Sequence, residues 1–304
     1  MTWVLFLLLG LLAVPFTIEL TRSKVTDADR NTAPGQFALL SQGTTHYQWY
    51  GPEKGPVAIC IHGLSTPSFV WRGVAQGLVL AGFRVLTYDH YGRGYSDRPK
   101  GRQDAAFFLT QLDDLMRHEK VDGPVTVLGY SMGGAIAAHF TAANPGAVKQ
   151  LILLAPAGMQ HIVGKAAAFA RDTPILGDWL FLMTYPRLLR KGITAEAGLK
   201  SSVENITDLQ LAETHKRGFF PAILSSLRGV LRDPAQAQHR DIAASGVPVL
   251  AIWGREDDVI PLAARDILAE WNPNAVQSVI DEAGHGLTYT HSDDVLEAIR
   301  ATRR

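Results

Sequence analysis

Residues 125–134 have the sequence Val-Thr-Val-Leu-Gly-Tyr-Ser-Met-Gly-Gly, in which a short apolar run is followed at once by an Ala-rich stretch. The run predicts a buried strand, and Met132 to Ala143 predicts a helix. Between them, Gly129 and Gly133 flank Ser131 in a Gly-x-Ser-x-Gly pattern, where glycines permit a sharp turn that exposes the central hydroxyl. Such a turn would place Ser131 at the carboxyl edge of a sheet, with the N–H of Met132 directed at a developing oxyanion. We therefore predict that Ser131 is a nucleophile.

Short apolar runs alternate with longer amphipathic stretches on both sides of this motif. The predicted strands are 57–61, 84–88, 125–128, 151–154, 248–253 and 276–280, and the predicted helices are 69–80, 104–118, 132–143 and 262–271. Residues 37–40 and 44–50 predict an antiparallel hairpin that precedes them. The alternation predicts an α/β fold with a mostly parallel central sheet flanked by helices.

The same pattern divides the chain into five segments. We expect an N-terminal hydrophobic anchor or signal at residues 1–20, a linker at 21–35, core at 36–156, an inserted helical cap at 157–240, and the second part of the core at 241–304. The cap is predicted from helix formers and large apolar residues that are interrupted by prolines. Because a small cap cannot bury all of these side chains, some should face a ligand pocket.

The N-terminal apolar run extends from Trp3 to Ile18. At about 1.5 Å per residue it barely matches a hydrocarbon core of about 30 Å. No Lys or Arg precedes it and no small-x-small cleavage site follows it, which favours an uncleaved anchor. Arg22, Lys24 and Arg30 then predict a cytoplasmic catalytic domain held at a membrane. A signal that is cleaved during export is the alternative.

The composition narrows the range of partners. The chain has 29 Lys and Arg and 29 Asp and Glu, so no net field attracts nucleic acid, and we expect a neutral small-molecule substrate. Cys60 is the only cysteine, which excludes an internal disulfide and a cysteine-based metal site. Its apolar neighbours predict that it is buried. No metal and no organic cofactor is expected, and the oligomeric state is left open.

Two further motifs follow predicted strands: His62-Gly63 after residues 57–61, and Tyr88-Asp-His-Tyr-Gly-Arg-Gly-Tyr-Ser96 after residues 84–88. Together with the serine motif, they resemble the α/β-hydrolase superfamily, and in particular carboxylesterases, monoacylglycerol lipases and carbon-carbon bond hydrolases. The resemblance runs from Gln36 to the end of the chain and covers the core better than the cap.

This resemblance assigns roles to residues around Ser131. It implies that the N–H groups of Leu64 and Met132 form an oxyanion hole. It also implies structural roles for His62, Gly63, Gly129, Gly133 and Asp89, which shape the loops beside the serine.

The acid and the base follow from the same resemblance. The family pattern places the acid three residues after Gly254, at Asp257, with Glu256 and Asp258 as rivals. It places the base at His285, in a glycine-flanked loop after the last predicted strand, whereas His291 is expected at the start of the final helix. The chain order Ser, Asp, His is the order that this fold uses.

The expected activity is hydrolysis of carboxylic esters of neutral, apolar or lipid-like substrates through an acyl-enzyme, as in carboxylesterases and monoacylglycerol lipases. Alternatives are a hydrolase of vinylogous diketones, a lactonase, a peptidase, or a non-enzymatic ligand receptor of the same fold. Leu64, Ser65 and Thr66 count against the diketone hydrolases, which tend to have glycines there. Residues 62–72 also resemble haloalkane dehalogenases, but Ser131 occupies the position of their carboxylate nucleophile.

Overall fold

The computed structural model describes residues 2–160 and 164–302. Its centre is an eight-stranded sheet with the order β1-β2-β4-β3-β5-β6-β7-β8. The strands are β1 (Gln36–Leu40), β2 (Gly43–Tyr50), β3 (Val57–Ile61), β4 (Arg84–Tyr88), β5 (Val125–Tyr130), β6 (Val148–Leu154), β7 (Val249–Gly254) and β8 (Val276–Ile280). β2 pairs antiparallel with β1 and β4, and all other pairs are parallel. The predicted α/β fold with a mostly parallel sheet is confirmed.

Helices cover both faces of this sheet. They are α1 (Thr2–Thr21), α2 (Asp27–Thr32), α3 (Arg72–Leu80), α4 (Ala105–His118), α5 (Met132–Ala143), α6 (Lys165–Asp172), α7 (Leu176–Ala195), α8 (Ile206–Glu213), α9 (Phe219–Arg228), α10 (Gln236–Ser245), α11 (Ala263–Trp271), α12 (Leu287–Thr290) and α13 (Ser292–Ala301). Side chains alternate between the two faces along each strand. On β3, Ile59 and Ile61 therefore join the core under α4 and α5, whereas Ala58 and the fully buried Cys60 join the core under α3 and α13. Burial on both faces explains why the strands are continuous apolar runs.

Helices α6 to α9 form a cap between β6 and β7, within the predicted segment 157–240. Helix α10, at the end of the predicted cap segment, packs on α5 and α11 of the core and buries Ile242 there. Residues 161–163 of the predicted cap lie outside the described residues, as do residue 1 of the predicted anchor and residues 303 and 304 of the predicted core.

The N-terminal segment lies against the cap. The Trp179 indole on α7 donates to the Leu11 carbonyl of α1 over 3.3 Å. At the end of α1, a Glu19 carboxylate oxygen accepts from the Gly218 N–H at 2.6 Å. The predicted linker 21–35 is not structureless, because it contains α2, which begins with a capping box formed by Thr26 and Asp29.

Within residues 2–160 and 164–302, no helix combines the length and the apolar character needed to cross a membrane. The N-terminal anchor stays a prediction.

Candidate active site

Ser131 lies in the sharp turn between β5 and α5, with φ 54° and ψ −120°. A positive φ is unfavourable for a residue with a Cβ, and such conformations persist only where the surrounding structure imposes them. Two close backbone approaches flank this turn. A Cβ at Gly133 would lie 2.0 Å from the Ile61 carbonyl oxygen, and a Cβ at Gly129 would lie 2.4 Å from the Gly133 carbonyl oxygen. Only glycine fits at either position, and the turn directs the Ser131 side chain away from the sheet.

The structure brings together three side chains that are far apart in the sequence. His285 Nε2 lies 3.0 Å from Ser131 Oγ, and His285 Nδ1 lies 2.8 Å from Asp257 Oδ2. The other carboxylate oxygen of Asp257 accepts from the N–H groups of Val259 and Ile260 at 2.8 and 2.7 Å. These main-chain donors fix the carboxylate so that Oδ2 faces the imidazole.

The rivals considered from the sequence lie elsewhere. Asp257 is buried, whereas Glu256 and Asp258 on either side of it are exposed. His291 precedes α13, and its ring contacts the Thr290 hydroxyl at 2.9 Å. Burial therefore distinguishes Asp257 from Glu256 and Asp258, and contact with Ser131 distinguishes His285 from His291.

Tyr130 supports the loop that carries His285, a contact that the sequence reasoning missed. Its hydroxyl donates to the His285 carbonyl oxygen over 3.0 Å, and the two ring centroids are 5.3 Å apart. The only sequence signal was its place beside Ser131, because nothing local indicates a partner 155 residues away. The turn that presents the serine thus also holds the loop of the histidine.

The main chains of Gly63–Leu64 and Ser131–Met132 lie side by side. A Cβ at Gly63 would be 3.2 Å from the Ser131 Cβ, Leu64 lines the cavity that contains Ser131, and Met132 is the first residue of α5. The first N–H groups of a helix have no partner within the helix and favour negative charge. This arrangement suits stabilisation of an oxyanion next to Ser131.

His62 is fully buried, and it contacts main chain rather than the Ser131 group. Its Nδ1 lies 2.8 Å from the Gly63 carbonyl oxygen, and its Nε2 accepts from the His90 N–H at 2.9 Å. Burial lowers the pKa of His62 to about 4, so the ring is neutral near pH 7. These contacts brace the loop that begins at Gly63.

Asp89 also lies outside the Ser131 group. It accepts from the N–H groups of Ser68 at 2.9 Å and Tyr95 at 3.0 Å, and it contacts His46 Nδ1 at 2.7 Å. Burial opposes its ionisation, but the charge and hydrogen bond of His46, together with smaller contributions that include the Ser68 hydrogen bond, hold the pKa of this carboxyl far below its usual range. A Cβ at Gly94 would lie 1.9 Å from Asp89 Oδ2, so the loop closes tightly over the carboxylate.

Arg93 is a second residue that the sequence reasoning missed. Its guanidinium is fully buried, and Nε donates to the Leu64 carbonyl oxygen over 3.0 Å. The other side of the guanidinium donates to the Ser226 hydroxyl of α9 over 2.8 Å and contacts the Gln103 amide oxygen. Arg93 therefore joins the loop beside Ser131 to the cap.

A cavity of about 240 Å³ opens above Ser131 and His285. The core contributes Leu64, Val259 and Ile260 to its wall, and the cap contributes Ala167, Tyr185, Leu189, Leu227 and Leu231. Tyr185 fulfils the expectation that some apolar cap residues face a pocket. Among the described residues that line it, His285 is the only one with an ionisable nitrogen, and none is Lys, Arg, Asp or Glu. Such a wall favours a neutral, apolar ligand.

Comparison with known proteins identifies the family that this chain resembles. A family model described as the alpha/beta hydrolase fold matches residues 56–292. The 2-hydroxymuconate semialdehyde hydrolase of Pseudomonas putida is 29% identical over 69% of this chain and 73% of its own length. The pimeloyl-[acyl-carrier protein] methyl ester esterase of Aliivibrio salmonicida is 25% identical over 83% and 94%. The crystal structure of an esterase from Exiguobacterium antarcticum superimposes with a TM-score of 0.71 at 20% identity, covering 88% of this chain and 98% of that chain.

Proposed function

Because this chain belongs to the α/β-hydrolase family, we propose that it is a serine hydrolase that cleaves carboxylic esters of neutral, apolar or lipid-like substrates through an acyl-enzyme. One observation carries the proposal: a hydroxyl, an imidazole and a carboxylate are joined by contacts of 3.0 and 2.8 Å at the wall of an apolar cavity. A nucleophile beside a base that is itself oriented by a third group is the arrangement that activates a hydroxyl.

In the proposed mechanism, His285 Nε2 takes the proton of Ser131 as the hydroxyl attacks the ester carbonyl carbon. Asp257 Oδ2 accepts the Nδ1–H of His285, which keeps Nε2 free to act as the base and stabilises the imidazolium that forms. His285 then gives the proton to the leaving alcohol, and an acyl-Ser131 ester remains. Water that is deprotonated by His285 attacks the carbonyl carbon of this ester, the bond to Ser131 Oγ breaks, and His285 returns the proton to Oγ as the acid is released.

The negative charge of each tetrahedral intermediate is assigned to the N–H groups of Met132 and Leu64. Main-chain donors suit this role because they are fixed before the reaction begins. Loss of one such donor typically costs about 3 kcal/mol of transition-state stabilisation. The close approach of Gly63 to Ser131 supports this assignment, because a Cβ at Gly63 would lie 3.2 Å from the Ser131 Cβ.

The cavity wall favours esters over the substrates of the runner-up activity. Hydrolases of vinylogous diketones tend to grip a carboxylate with cationic groups, and no Lys or Arg lines this cavity among the described residues. Carbon-carbon bond cleavage stays as the second candidate because a relative named as a 2-hydroxymuconate semialdehyde hydrolase is 29% identical.

Labelling with a fluorophosphonate probe tests the nucleophile. We expect the intact protein to be labelled and Ser131→Ala and His285→Ala to lose the label, while hydrolysis of a short-chain aryl ester falls by several orders of magnitude. Ser65→Ala is a matched control, because Ser65 lines the same cavity and should keep both activities. No labelling of the intact protein would favour the non-enzymatic receptor, and an unchanged rate in Ser131→Ala would refute the assignment.

A substrate panel tests the bond that is cleaved. Aryl esters, monoacylglycerols, lactones and a vinylogous diketone are compared at equal concentration with the intact protein. The proposed ester hydrolysis predicts that kcat/KM is largest for an ester with a neutral acyl chain. The largest kcat/KM for the diketone would transfer the assignment to carbon-carbon bond hydrolysis.

A further inference from the structure

A second, larger cavity lies outside the catalytic one, as a groove of about 700 Å³ between α1, α7 and α9. Its apolar lining comes from all three helices: Phe16 and Leu20 of α1, Leu182 of α7, and Pro221 and Leu224 of α9. Helix α9 presents Leu227 to the catalytic cavity and a neighbouring face, with Leu224 and Arg228, to this groove. The two cavities are therefore separate spaces that share one helical wall.

The groove also carries an excess of positive charge. Five charged residues line it: Glu19, Arg102, Asp178, Arg228 and Arg232. The two carboxylates are already engaged, since Asp178 pairs with Arg228 at 2.6 Å and Glu19 accepts from the Gly218 N–H. Within the part of the chain that the structure describes, no carboxylate lies at ion-pair distance from Arg102 or Arg232. Arg102 Nη2 donates to the Arg228 carbonyl oxygen at the end of α9 over 3.2 Å. The positive charges of Arg102 and Arg232 are both available to an anion.

We propose that this groove binds a single-chain anionic amphiphile, with its apolar chain between α1 and α9 and its anionic head at Arg102 and Arg232. The apolar residues would gain from contact with a chain, because Phe16 and Leu20 are 43% and 57% exposed. A guanidinium is well suited to a carboxylate or a phosphate, since it can donate two parallel hydrogen bonds to either. The shared chemistry fits a released fatty acid or a lipid with a phosphate head.

Calorimetric titration of the full chain tests the charge requirement. The probes are dodecanoate, dodecyl phosphate and dodecanol, and Ser131→Ala is used as the background so that binding is measured without the reaction. We expect both anions to bind more tightly than dodecanol. In Arg102→Gln/Arg232→Gln, the anions should bind roughly tenfold to a hundredfold more weakly while dodecanol is unchanged, because each lost charge-assisted hydrogen bond is worth about a factor of ten.

A charge-matched control separates this site from a general field effect. Arg265→Gln/Arg300→Gln removes the same net charge from α11 and α13, neither of which lines the groove, and should leave all three affinities unchanged. Equal weakening in both double variants, or no weakening in either, would overturn the proposal. Tighter binding of dodecanoate than of dodecyl phosphate would identify the released acid as the source, and the reverse order would identify a lipid phosphate.

The position of the chain has its own test. A diazirine derivative of dodecanoate should crosslink to the peptides that contain Leu20 and Leu224, and Leu20→Gln on the exposed side of α1 should weaken all three probes. Crosslinks confined to the lining of the catalytic cavity would overturn the proposal. Neither experiment requires hydrolysis, so binding in the groove can be established even if the protein is not an esterase.

Discussion

The core and the cap build the candidate site in different ways. In the core, the main chain fixes the reacting groups: Ser131 is held at φ 54° between close backbone approaches, and two N–H groups hold Asp257. In the cap, apolar side chains on helices form the wall. The cap meets the core through a few buried polar contacts, such as Arg93 with Ser226 and the Gly94 N–H with Glu213 at 2.9 Å. If the proposed roles are correct, the reacting groups lie on the core, whereas most of the apolar wall lies on the cap. Substitutions in the two regions should then affect kcat and KM differently.

Asp257→Asn tests the core and should have the largest effect. An amide in this position cannot accept the Nδ1–H in the same way and favours the wrong tautomer of His285, so we expect kcat to fall by roughly three to four orders of magnitude with little change in KM. Aryl ester kinetics measure this. Asp258→Asn, at the exposed neighbour, should retain full activity, and comparable losses in both variants would contradict the assignment of the acid.

Arg93→Met tests the junction between the two regions. It keeps the aliphatic stem but leaves the Leu64 carbonyl oxygen without its side-chain donor and removes one donor each from Gln103 and Ser226. These losses should lower the free energy of unfolding by roughly 2 to 5 kcal/mol. Under conditions where the variant is still folded, kcat should also fall about tenfold or more, because the Leu64 loop loses a contact that supports it. Urea unfolding and kinetics on one sample measure both. As a control, Arg84→Met removes an arginine that stacks on Trp49 and should leave kcat unchanged. If Arg93→Met kept the kcat of the intact protein, the Leu64 loop would not need the Arg93 contact.

Leu227→Ala tests the cap. Removing a side chain from the cavity wall should raise KM for short acyl esters about tenfold and shift preference toward longer chains, with kcat altered only a few-fold. Leu224→Ala, one turn earlier on the same helix, is equally buried but faces the outer groove. The two variants should lose similar stability, and an equal change in chain preference would contradict the separation of the two cavities.

His239→Leu should have the smallest effect and concerns acid stability of the core. Burial, with a smaller effect of the His139 charge, lowers the pKa of His239 on α10 to about 4. The unfolded chain therefore binds a proton between pH 6.5 and 4 that the folded chain excludes, so stability is fully present above pH 6.5 and is lost as the pH falls toward 4. The loss of unfolding free energy between pH 6.5 and pH 4 should be smaller by about 2 to 3 kcal/mol in His239→Leu. Unfolding curves recorded across this pH range measure it. An unchanged pH dependence in His239→Leu would place the acid sensitivity at another group.

Local constraints explain why the core was predictable from the sequence. Strands buried on both faces are apolar runs, and the close approaches at Gly129 and Gly133 leave a Gly-x-Ser-x-Gly pattern around Ser131. Asp257 was harder, because three acids stand together and only the folded chain shows which one meets the N–H groups of Val259 and Ile260. The predicted fold is confirmed, whereas the catalytic roles stay predictions.

Contacts between distant segments explain what the sequence did not reveal. Tyr130 and Arg93 support the site through partners 155 and 133 residues away, so no local pattern indicates them. The sequence also did not reveal that α10, built from the same helix formers as the cap helices, packs on α5 of the core. By contrast, α2 did have a local signal, the Thr26-x-x-Asp29 capping box.

The attachment of α1 has a practical consequence for anyone who prepares this protein. Glu19, Arg22 and Ser23 make polar contacts with residues 214–218, the turn that joins α8 to α9. That turn also holds Lys216, which donates to the Gly94 carbonyl oxygen over 3.3 Å, one residue from Arg93. A shortened protein that starts after Lys24 would lack these contacts with the turn between α8 and α9. Kinetic constants measured on it would therefore describe a protein whose cap is held less firmly on the core.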